Sequence, residues 1–267
     1  MRPTPSSLKP KPAPARALAA LRRLAVCGDL RLAAAASLAG AAGPGLAAPC
    51  EVTAGAQPPA VVELYTSQGC SSCPPADRWL STLKDRPGVI ALAFHVNYWN
   101  HLGWADPYAT AQTTQRQTLF RDATGARFVY TPQVVLNGAD HRAWPGQRAE
   151  QLPALAVQAP PRLRITREGR QVTAQIGAGT GPGRWAGYWA VLQDDQRSVV
   201  TRGENAGQTL HNDHVVRHYQ PVPPWASNQA MQHTLALSAG TGQRVAFVVT
   251  QADGLRPLQA AMLRCGG

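Results

Sequence analysis

Residues 60–77 read AVVELYTSQGCSSCPPAD, and this segment passes from a buried strand to a helix. Val61–Thr66 is a short β-branched and apolar run, the Ser-Gln-Gly after it is a turn signal, and a helical stretch follows as far as Leu83. The segment therefore predicts a strand, a tight turn and a helix, with the cysteines at the start of the helix.

Cys70 and Cys73 lie on the first helical turn, where unpaired backbone N–H groups and the helix dipole favour a thiolate. Pro74 and Pro75 suit this position because the first turn does not need their missing N–H groups. We expect Cys70 to be the exposed nucleophile that attacks a substrate disulfide, and Cys73 to resolve the mixed disulfide. A structural zinc site and a structural disulfide without catalysis are the alternatives.

Thr131-Pro132 opens a further strand, Pro132–Leu136. A proline there cannot donate to a ladder, and a cis Thr-Pro bond would turn the backbone against the cysteine pair, so that Thr131 offers main-chain hydrogen bonds to an extended substrate. The alternative is a trans proline at the start of an edge strand.

Two ionisable residues on the predicted strands are candidates for the same site. Glu63 is a carboxylate on an otherwise apolar strand and is expected to accept the proton of Cys73, or else to form a surface ion pair. His95 ends the strand Val89–Val96 and is expected to be a packed core histidine, to tune the thiolate, or to bind Cu(I) together with the cysteines.

Two further clusters favour a structural interpretation. A metal site formed by the histidines near Asp213 is less favoured because alternate residues of a strand face opposite ways. The aromatic group after the second strand either lines a substrate groove or caps the core. The members of the two clusters are His211, Asp213, His214 and His218, and Tyr98, Trp99 and Trp104.

The rest of residues 60–158 continues the alternation of strands and helices. A helix is predicted over 109–122, Asn137-Gly138 is a hairpin signal that leads into a strand over 139–144, and a last helix is predicted over 147–157. After Ala159-Pro160-Pro161 the pattern changes to short alternating strands, which indicates a small antiparallel sandwich. The predicted strands there are 163–166, 171–176, 185–192, 198–202, 215–219, 233–237 and 245–250.

The net charge of +11 is concentrated in residues 1–48, which carry seven basic side chains against Asp29 alone, or +6, and leave +5 for the remainder. No Lys/Arg cluster is interleaved with aromatic residues, so nucleic-acid binding is not expected. The basic start, the apolar run 32–46 and the small residues 45–48 predict a secretory signal peptide over 1–48, with a membrane anchor as the alternative.

Removal of that segment leaves four cysteines, an even number that permits disulfides in an exported chain. If Cys70 pairs with Cys73, then Cys50 and Cys265 are left for each other. Lipidation of Cys50 is the competing interpretation, although Pro49 does not suit the processing that it requires.

Several long segments together resemble the bacterial family DUF1223. The segments are Val61–Asp77, Phe94–Trp99 with Leu102-Gly103-Trp104, Tyr130–Gly138, Arg202-Gly203-Glu204-Asn205, Thr209-Leu210 and Val215–Arg217. The resemblance covers nearly all of the chain after residue 48 and implies a thioredoxin-like fold with a redox role.

These observations lead to one expected architecture. It is an α/β thioredoxin-like domain over 49–159, with a central mixed sheet flanked by helices, followed by a small antiparallel β-sandwich-like domain over 160–267.

The expected function is a periplasmic or secreted thiol–disulfide oxidoreductase, with Cys70, Cys73, Thr131, Pro132 and Glu63 as its site residues. Its partners would be protein thiols or disulfides in the cell envelope, without a cofactor or metal, and without membrane contact after signal cleavage. The alternatives are a Cu(I)-binding protein that uses the same cysteines and a non-catalytic binding module.

Overall fold

The structure is a computed structural model that describes residues 50–238 and 244–265; the predicted signal peptide lies outside them. The helices among these residues are α1 Pro74–Ser81 and α2 Ala111–Thr124, with short 3-10 turns at Asn100–Leu102 and Ala149–Gln151. The strands are β1 Cys50–Thr53, β2 Ala60–Thr66, β3 Val89–His95, β4 Gln133–Leu136, β5 Ala139–Asp140, β6 Leu163–Glu168, β7 Gln171–Ile176, β8 Arg184–Gln193, β9 Gln196–Val199, β10 Thr209–Asn212, β11 Val215–Ala226, β12 Met231–Ala236, β13 Arg244–Gln251 and β14 Pro257–Arg264.

Most of the strands form one mixed sheet of eight in the order β14-β13-β8-β11-β3-β2-β4-β5. The pairs β2–β3 and β3–β11 are parallel and the other neighbours are antiparallel. β11 joins β3 through a short contact at which Val215 lies opposite Ala93. A second, antiparallel sheet has the order β1-β6-β7-β12, and β9 pairs with β10 in a separate ribbon.

Because side chains alternate along β2 and β8, the two faces of the large sheet pack against different elements. Val62 and Leu64 pack with Ala76 and Leu80 of α1, while farther along the same face Trp189 packs with the four-stranded sheet. The opposite face, which includes Val61, Tyr65 and Tyr188, packs against Phe120 of α2 and against Leu155. α1 and α2 therefore lie on opposite faces of the sheet.

The predicted fold class is wrong. A thioredoxin-like α/β sheet flanked by helices, with a separate small sandwich after it, does not describe a molecule with fourteen strands and two α-helices among the described residues. The physical reason is the outer edge of β3, which is paired with β11, so that β8, β11, β13 and β14 extend the sheet of β2, β3 and β4. Strands from before and after residue 159 consequently share one sheet.

Most individual strands agree with the sequence pattern, but some elements differ. The helix predicted over 147–157 is only the 3-10 turn at Ala149–Gln151, and the strand predicted over 139–144 ends at Asp140. Pro153 lies in the middle of the predicted helix and lacks the backbone donor that a helix interior requires. β1, β10 and β14 were not predicted, because their sequences are short or mixed; β1 pairs with the distant β6, whereas β10 and β14 pair with the strands directly before them.

Cys50 and Cys265 form a disulfide with a Cα–Cα distance of 5.8 Å, as the sequence predicted. It connects the start of β1, in the four-stranded sheet, with the residue directly after β14, in the large sheet. Within residues 50–238 and 244–265, no α-helix combines the length and the apolar character needed to cross a bilayer.

Candidate functional site

The Cys70–Cys73 pair is a disulfide with a Cα–Cα distance of 5.5 Å, at the start of α1. Cys73 is the N-cap residue of this helix and the two prolines follow it directly. The Cys73 N–H donates to the Cys70 carbonyl at 3.2 Å, and the Asp77 N–H donates to the Cys73 carbonyl at 3.1 Å. The loop thus turns from the end of β2 into the helix with both sulfurs at its amino end.

Both cysteines are buried, with 0% of their surface exposed, whereas Ser71 and Ser72 between them are exposed. The expectation that Cys70 is exposed is therefore wrong for the disulfide form. Cys70 Sγ accepts hydrogen bonds from the Thr131 hydroxyl at 3.3 Å and from the Ser72 hydroxyl at 3.3 Å. A sequence motif does not reveal this cover, because its parts come from segments distant in the chain.

Thr131 and Pro132 lie beside the cysteine pair, and the peptide bond between them is cis. The Thr131 hydroxyl, besides its contact with Cys70 Sγ, accepts a hydrogen bond from Trp99 Nε1 at 2.8 Å. The structure therefore brings Thr131, Pro132 and Cys70 together. Trp99, one of the aromatic residues that follow β3, holds the Thr131 side chain in place.

A turn from Gly203 to Gly207, here called the clamp turn, contacts residues 67–73, here called the cysteine loop. Glu204 Oε2 accepts a hydrogen bond from the Ser71 N–H at 2.8 Å. The Asn205 amide donates to the carbonyls of Gln68 at 2.9 Å and Cys70 at 3.0 Å, and Asn205 is buried. Sequence reasoning assigned these two residues no role, although they belong to a segment that resembles the family.

A cluster of buried ionisable groups lies beneath the pair. Thr66 and His95 lie opposite each other at the ends of β2 and β3. His95 Nδ1 donates to Asp106 Oδ2 at 2.7 Å, and that oxygen also accepts the Gln68 N–H at 2.8 Å. His95 Nε2 is buried and has no hydrogen-bond partner among the described residues. Asp106 carried no signal in the sequence, because the loop that contains it has no periodicity.

Asp77 brings a carboxyl group to this cluster. It follows Cys73 by four residues, and positions i and i+4 share one face of a helix, so its side chain lies one turn below the Cys73 sulfur. Burial raises the pKa of Asp77 to about 6, against the opposing effect of His95. Burial alone would lower the pKa of His95, but Asp106 raises it above its ordinary value. The spacing from Cys73 was the signal by which Asp77 could have been found.

Glu63 is not brought to the cysteines. Its side chain is on the face of the sheet that packs against α2, opposite α1, and its carboxylate pairs with Arg116 at 2.5 and 3.1 Å. The hydroxyls of Tyr65 and Tyr188 donate to the same carboxylate at 2.8 and 2.6 Å. Neither alternative from the sequence describes it, since this is a buried ion pair in the core.

The predicted histidine cluster is divided between two environments. Ligand atoms of Asp195, His211 and Asp213 lie within 4.8 Å of one another, but Lys84 Nζ already lies among them, 2.8 Å from Asp195 and 3.1 Å from Asp213. His214 is buried apart, where burial and then Arg244 lower its pKa to about 4. A lysine ammonium therefore already contacts both carboxylates and offsets part of their charge.

Comparison with known proteins points to one family. The model of the DUF1223 family, a family of proteins of unknown function, matches residues 61–251. The crystal structure of a protein from Agrobacterium tumefaciens is 30% identical, and the match covers 77% of this chain and 93% of that one with a TM-score of 0.59. HBP35 of Porphyromonas gingivalis is 12% identical over 79% and 76% of the two chains with a TM-score of 0.46, a likeness too weak to carry an argument. No curated protein matches the chain.

Proposed function

Because the chain belongs to the DUF1223 family, whose function is unknown, its activity has to be inferred from its own site, and we propose that it is an exported thiol–disulfide oxidoreductase acting on protein thiols. The observation that carries this proposal is the Cys70–Cys73 disulfide at the amino end of α1, with the Thr131 hydroxyl on the Cys70 sulfur. Backbone N–H groups at that end favour a thiolate when the pair is reduced.

The exchange reaction transfers two electrons between the pair and a substrate. A substrate thiolate attacks Cys70 Sγ, which forms a mixed disulfide, breaks the Cys70–Cys73 bond and leaves Cys73 as a thiolate that takes up a proton. A second substrate thiolate then attacks the substrate sulfur of the mixed disulfide and releases Cys70 as a thiolate. The substrate is oxidised to a disulfide and the pair is reduced to the dithiol; the reverse sequence reduces a substrate disulfide.

We assign the exchange of the Cys73 proton to Asp77. Asp77 follows Cys73 by one helical turn on α1 and is buried, and its pKa of about 6 is near neutral pH, so its carboxyl group can both accept and donate a proton. The charged groups that act on it are His95 on β3, Asp106 in the following loop and Arg78 on α1 itself. This assignment replaces Glu63, whose carboxylate is occupied by Arg116 on the opposite face.

The burial of both sulfurs has a consequence for the reaction. A protein thiol reaches Cys70 only after the clamp turn, the cysteine loop or the Thr131 segment moves, because the disulfide has no exposed surface. The exposed Ser71 and Ser72 mark the side of the loop that is open to solvent. We therefore expect the disulfide to react slowly with small thiols until this cover opens.

Export belongs to the same proposal. All four cysteines among the described residues are joined in two disulfides, a state that persists in oxidising compartments. Together with the signal peptide predicted over 1–48, this supports a periplasmic or secreted location.

A second candidate function is Cu(I) binding by Cys70, Cys73 and His95. The observation in its favour is the His95 Nε2 atom, which is buried and has no hydrogen-bond partner among the described residues. Thiolates and an imidazole are ligands that Cu(I) prefers. This candidate requires the reduced cysteines and no disulfide exchange.

The variant Cys73→Ser separates the candidates. It removes the resolving thiol and leaves Cys70, so in a disulfide-exchange enzyme partners should accumulate as mixed disulfides that a reductant releases. The matched control is the double change Cys70→Ser with Cys73→Ser, which should trap nothing. Mass spectrometry of adducts from a periplasmic extract gives the readout.

A Cu(I) carrier gives a different result in the same experiment. It would lose metal affinity with either cysteine change and form no specific covalent adducts. If Cys73→Ser traps no partner while the unmodified chain binds Cu(I) tightly, the oxidoreductase proposal is wrong. Absence of both trapping and Cu(I) binding would favour the non-catalytic binding module.

A further inference from the structure

The clamp turn places a negative charge on the cysteine loop. Glu204 Oε2 accepts the Ser71 N–H at 2.8 Å, and this hydrogen bond lowers the pKa of Glu204, so that the group is a carboxylate at neutral pH. The Ser71 nitrogen is separated from the Cys70 sulfur only by the Cys70 carbonyl carbon, Cα and Cβ. Covalent geometry thus keeps the carboxylate within roughly 7 Å of that sulfur.

The position of Glu204 is fixed by its neighbour. Asn205 is fully buried and donates to the carbonyls of Gln68 and Cys70, while its own Oδ1 accepts from Gln208 Nε2 at 3.3 Å. Two backbone bonds close the turn, from Gly207 N–H to the Val200 carbonyl at 2.8 Å and from Gln208 N–H to the Asn205 carbonyl at 3.1 Å. Glu204 is therefore held at the loop by a tethered turn, although its side chain faces solvent.

We propose that Glu204 is a positioning residue that sets the redox balance of the Cys70–Cys73 pair, by holding its carboxylate on the Ser71 N–H next to the sulfur that becomes a thiolate. This inference rests on the proposed function, and it concerns the strength of the pair as an oxidant rather than the identity of its substrate.

The direction of the effect follows from charge. Reduction of the disulfide adds two electrons and leaves Cys70 as a thiolate and Cys73 as a thiol after uptake of one proton. A carboxylate beside the new thiolate disfavours it, and the same carboxylate occupies an N–H group that could otherwise solvate the sulfur. Glu204 consequently stabilises the disulfide relative to the reduced pair.

Other charged groups surround the loop from each neighbouring element. Asp77 lies on α1, His95 on β3 and Asp106 in the loop after β3, and all three are buried. Arg202 precedes the clamp turn and its side chain runs beside Gly103. Glu204 differs from them because it contacts the backbone between the two cysteines.

The test compares Glu204→Gln with the unmodified chain. The amide keeps an acceptor for the Ser71 N–H and removes the charge, so the equilibrium constant for reduction should rise about threefold, or about 14 mV at 29.6 mV per tenfold change. The potential is measured by equilibration in glutathione buffers followed by alkylation and mass spectrometry. The Cys70 thiolate, titrated by ultraviolet absorbance in the Cys73→Ser background, should form at lower pH by a matching amount.

Two further variants identify the cause. Glu168→Gln makes the same change at an exposed site in the hairpin between β6 and β7 and should leave both quantities unchanged. Glu204→Ala removes the charge together with the acceptor and should also raise the equilibrium constant. If Glu204→Gln leaves the equilibrium constant for reduction and the Cys70 titration unchanged, the charge does not set the redox balance and the inference is wrong. This holds whether or not Glu204→Ala shifts these quantities.

These measurements need no partner protein, so they stand apart from the trapping experiment. A shifted potential without any trapped partner would refute the proposed function and keep this inference. Trapped partners together with an unchanged potential in Glu204→Gln would support the proposed function and refute this inference.

Discussion

Asp77 carries an ionisable side chain into the core one turn below Cys73. Its neighbours, His95 and Asp106, are buried as well, and His95 Nε2 has no hydrogen-bond partner among the described residues. Buried polar groups normally find partners, and those that do not are often retained for chemistry. At the scale of single residues, this cluster is the feature that a purely structural disulfide would not require.

The pKa of Asp77 makes stability depend on pH with a definite sign. The pKa is about 6 in the folded chain and 3.8 for an ordinary aspartate, so between these values the folded state binds more protons than the unfolded state. The free energy of unfolding therefore falls as pH rises through this range, by about 3 kcal/mol over the whole titration of this group and by about 2 kcal/mol of that between pH 4 and pH 7. The amide in Asp77→Asn cannot ionise and should remove that fall.

Relative to the unmodified chain, Asp77→Asn should thus gain about 2 kcal/mol of unfolding free energy between pH 4 and pH 7. Urea unfolding followed by tryptophan fluorescence at the two pH values measures this difference. Asp122→Asn makes the same change at an exposed position on α2 and should alter stability by less than about 0.5 kcal/mol at either pH. A pH-independent difference for Asp77→Asn would contradict the assignment.

At the scale of elements, the hairpin between β4 and β5 fixes the strand that follows Thr131-Pro132. Asn137 adopts a positive φ of 53°, its Oδ1 accepts the Val61 N–H at 2.9 Å, and its amide donates to the Pro153 carbonyl at 2.9 Å. Gly138 has a φ of 81°, and a Cβ there would lie 2.9 Å from the Leu255 carbonyl oxygen. The Asn-Gly signal in the sequence therefore serves both the turn and a close contact with a distant loop.

Gly138→Ala should destabilise the protein by about 3 kcal/mol, because the alanine meets a strained φ and a backbone clash together. Gly146→Ala is the matched control, since its φ is 76° and a Cβ there has nothing within 4 Å, so it should cost about 1 kcal/mol. Chemical denaturation of both variants gives the two values. Equal losses would mean that the contact with Leu255 contributes nothing.

At the scale of the whole molecule, the Cys50–Cys265 disulfide joins the two sheets across their shared core. Cys50 and Cys265 pack at the margin of the hydrophobic cluster that includes Trp189, Phe247 and Ile165. The residues are 215 positions apart, so the bond closes a very large loop of the unfolded chain. In the loop-entropy description its contribution to the free energy of unfolding is about 5 kcal/mol.

Cys50→Ala with Cys265→Ala should therefore lower the free energy of unfolding by about 5 kcal/mol. The comparison is Cys70→Ala with Cys73→Ala, where the bonded residues are three positions apart and the same description predicts about 2 kcal/mol. Guanidinium unfolding of the oxidised proteins measures both. If the Cys70–Cys73 pair stabilises as much as the Cys50–Cys265 pair, loop closure is not the source of the stability.

Local features of this protein follow from its sequence by itself. Periodicity and turn-forming residues predict several elements from neighbouring residues alone. These elements are the strands at Ala60–Thr66 and Val89–His95, the helix after Cys73 and the Asn137-Gly138 turn. The pairing of Cys50 with Cys265 and the family membership could also be predicted, the first by elimination and the second from long motifs.

Only the tertiary structure decided the sheet and the composition of the site. The pairing of β3 with β11 joins residues about 120 positions apart, and nothing in the pattern of either strand specifies its partner. Ser71 and Glu204 are 133 positions apart, and Glu63 and Arg116 are 53 apart. Separations of this size kept the sequence pattern from revealing the cover over Cys70 or the ion pair of Glu63. Periodicity reports which face of an element is buried, whereas the identity of the covering element depends on how the whole chain packs.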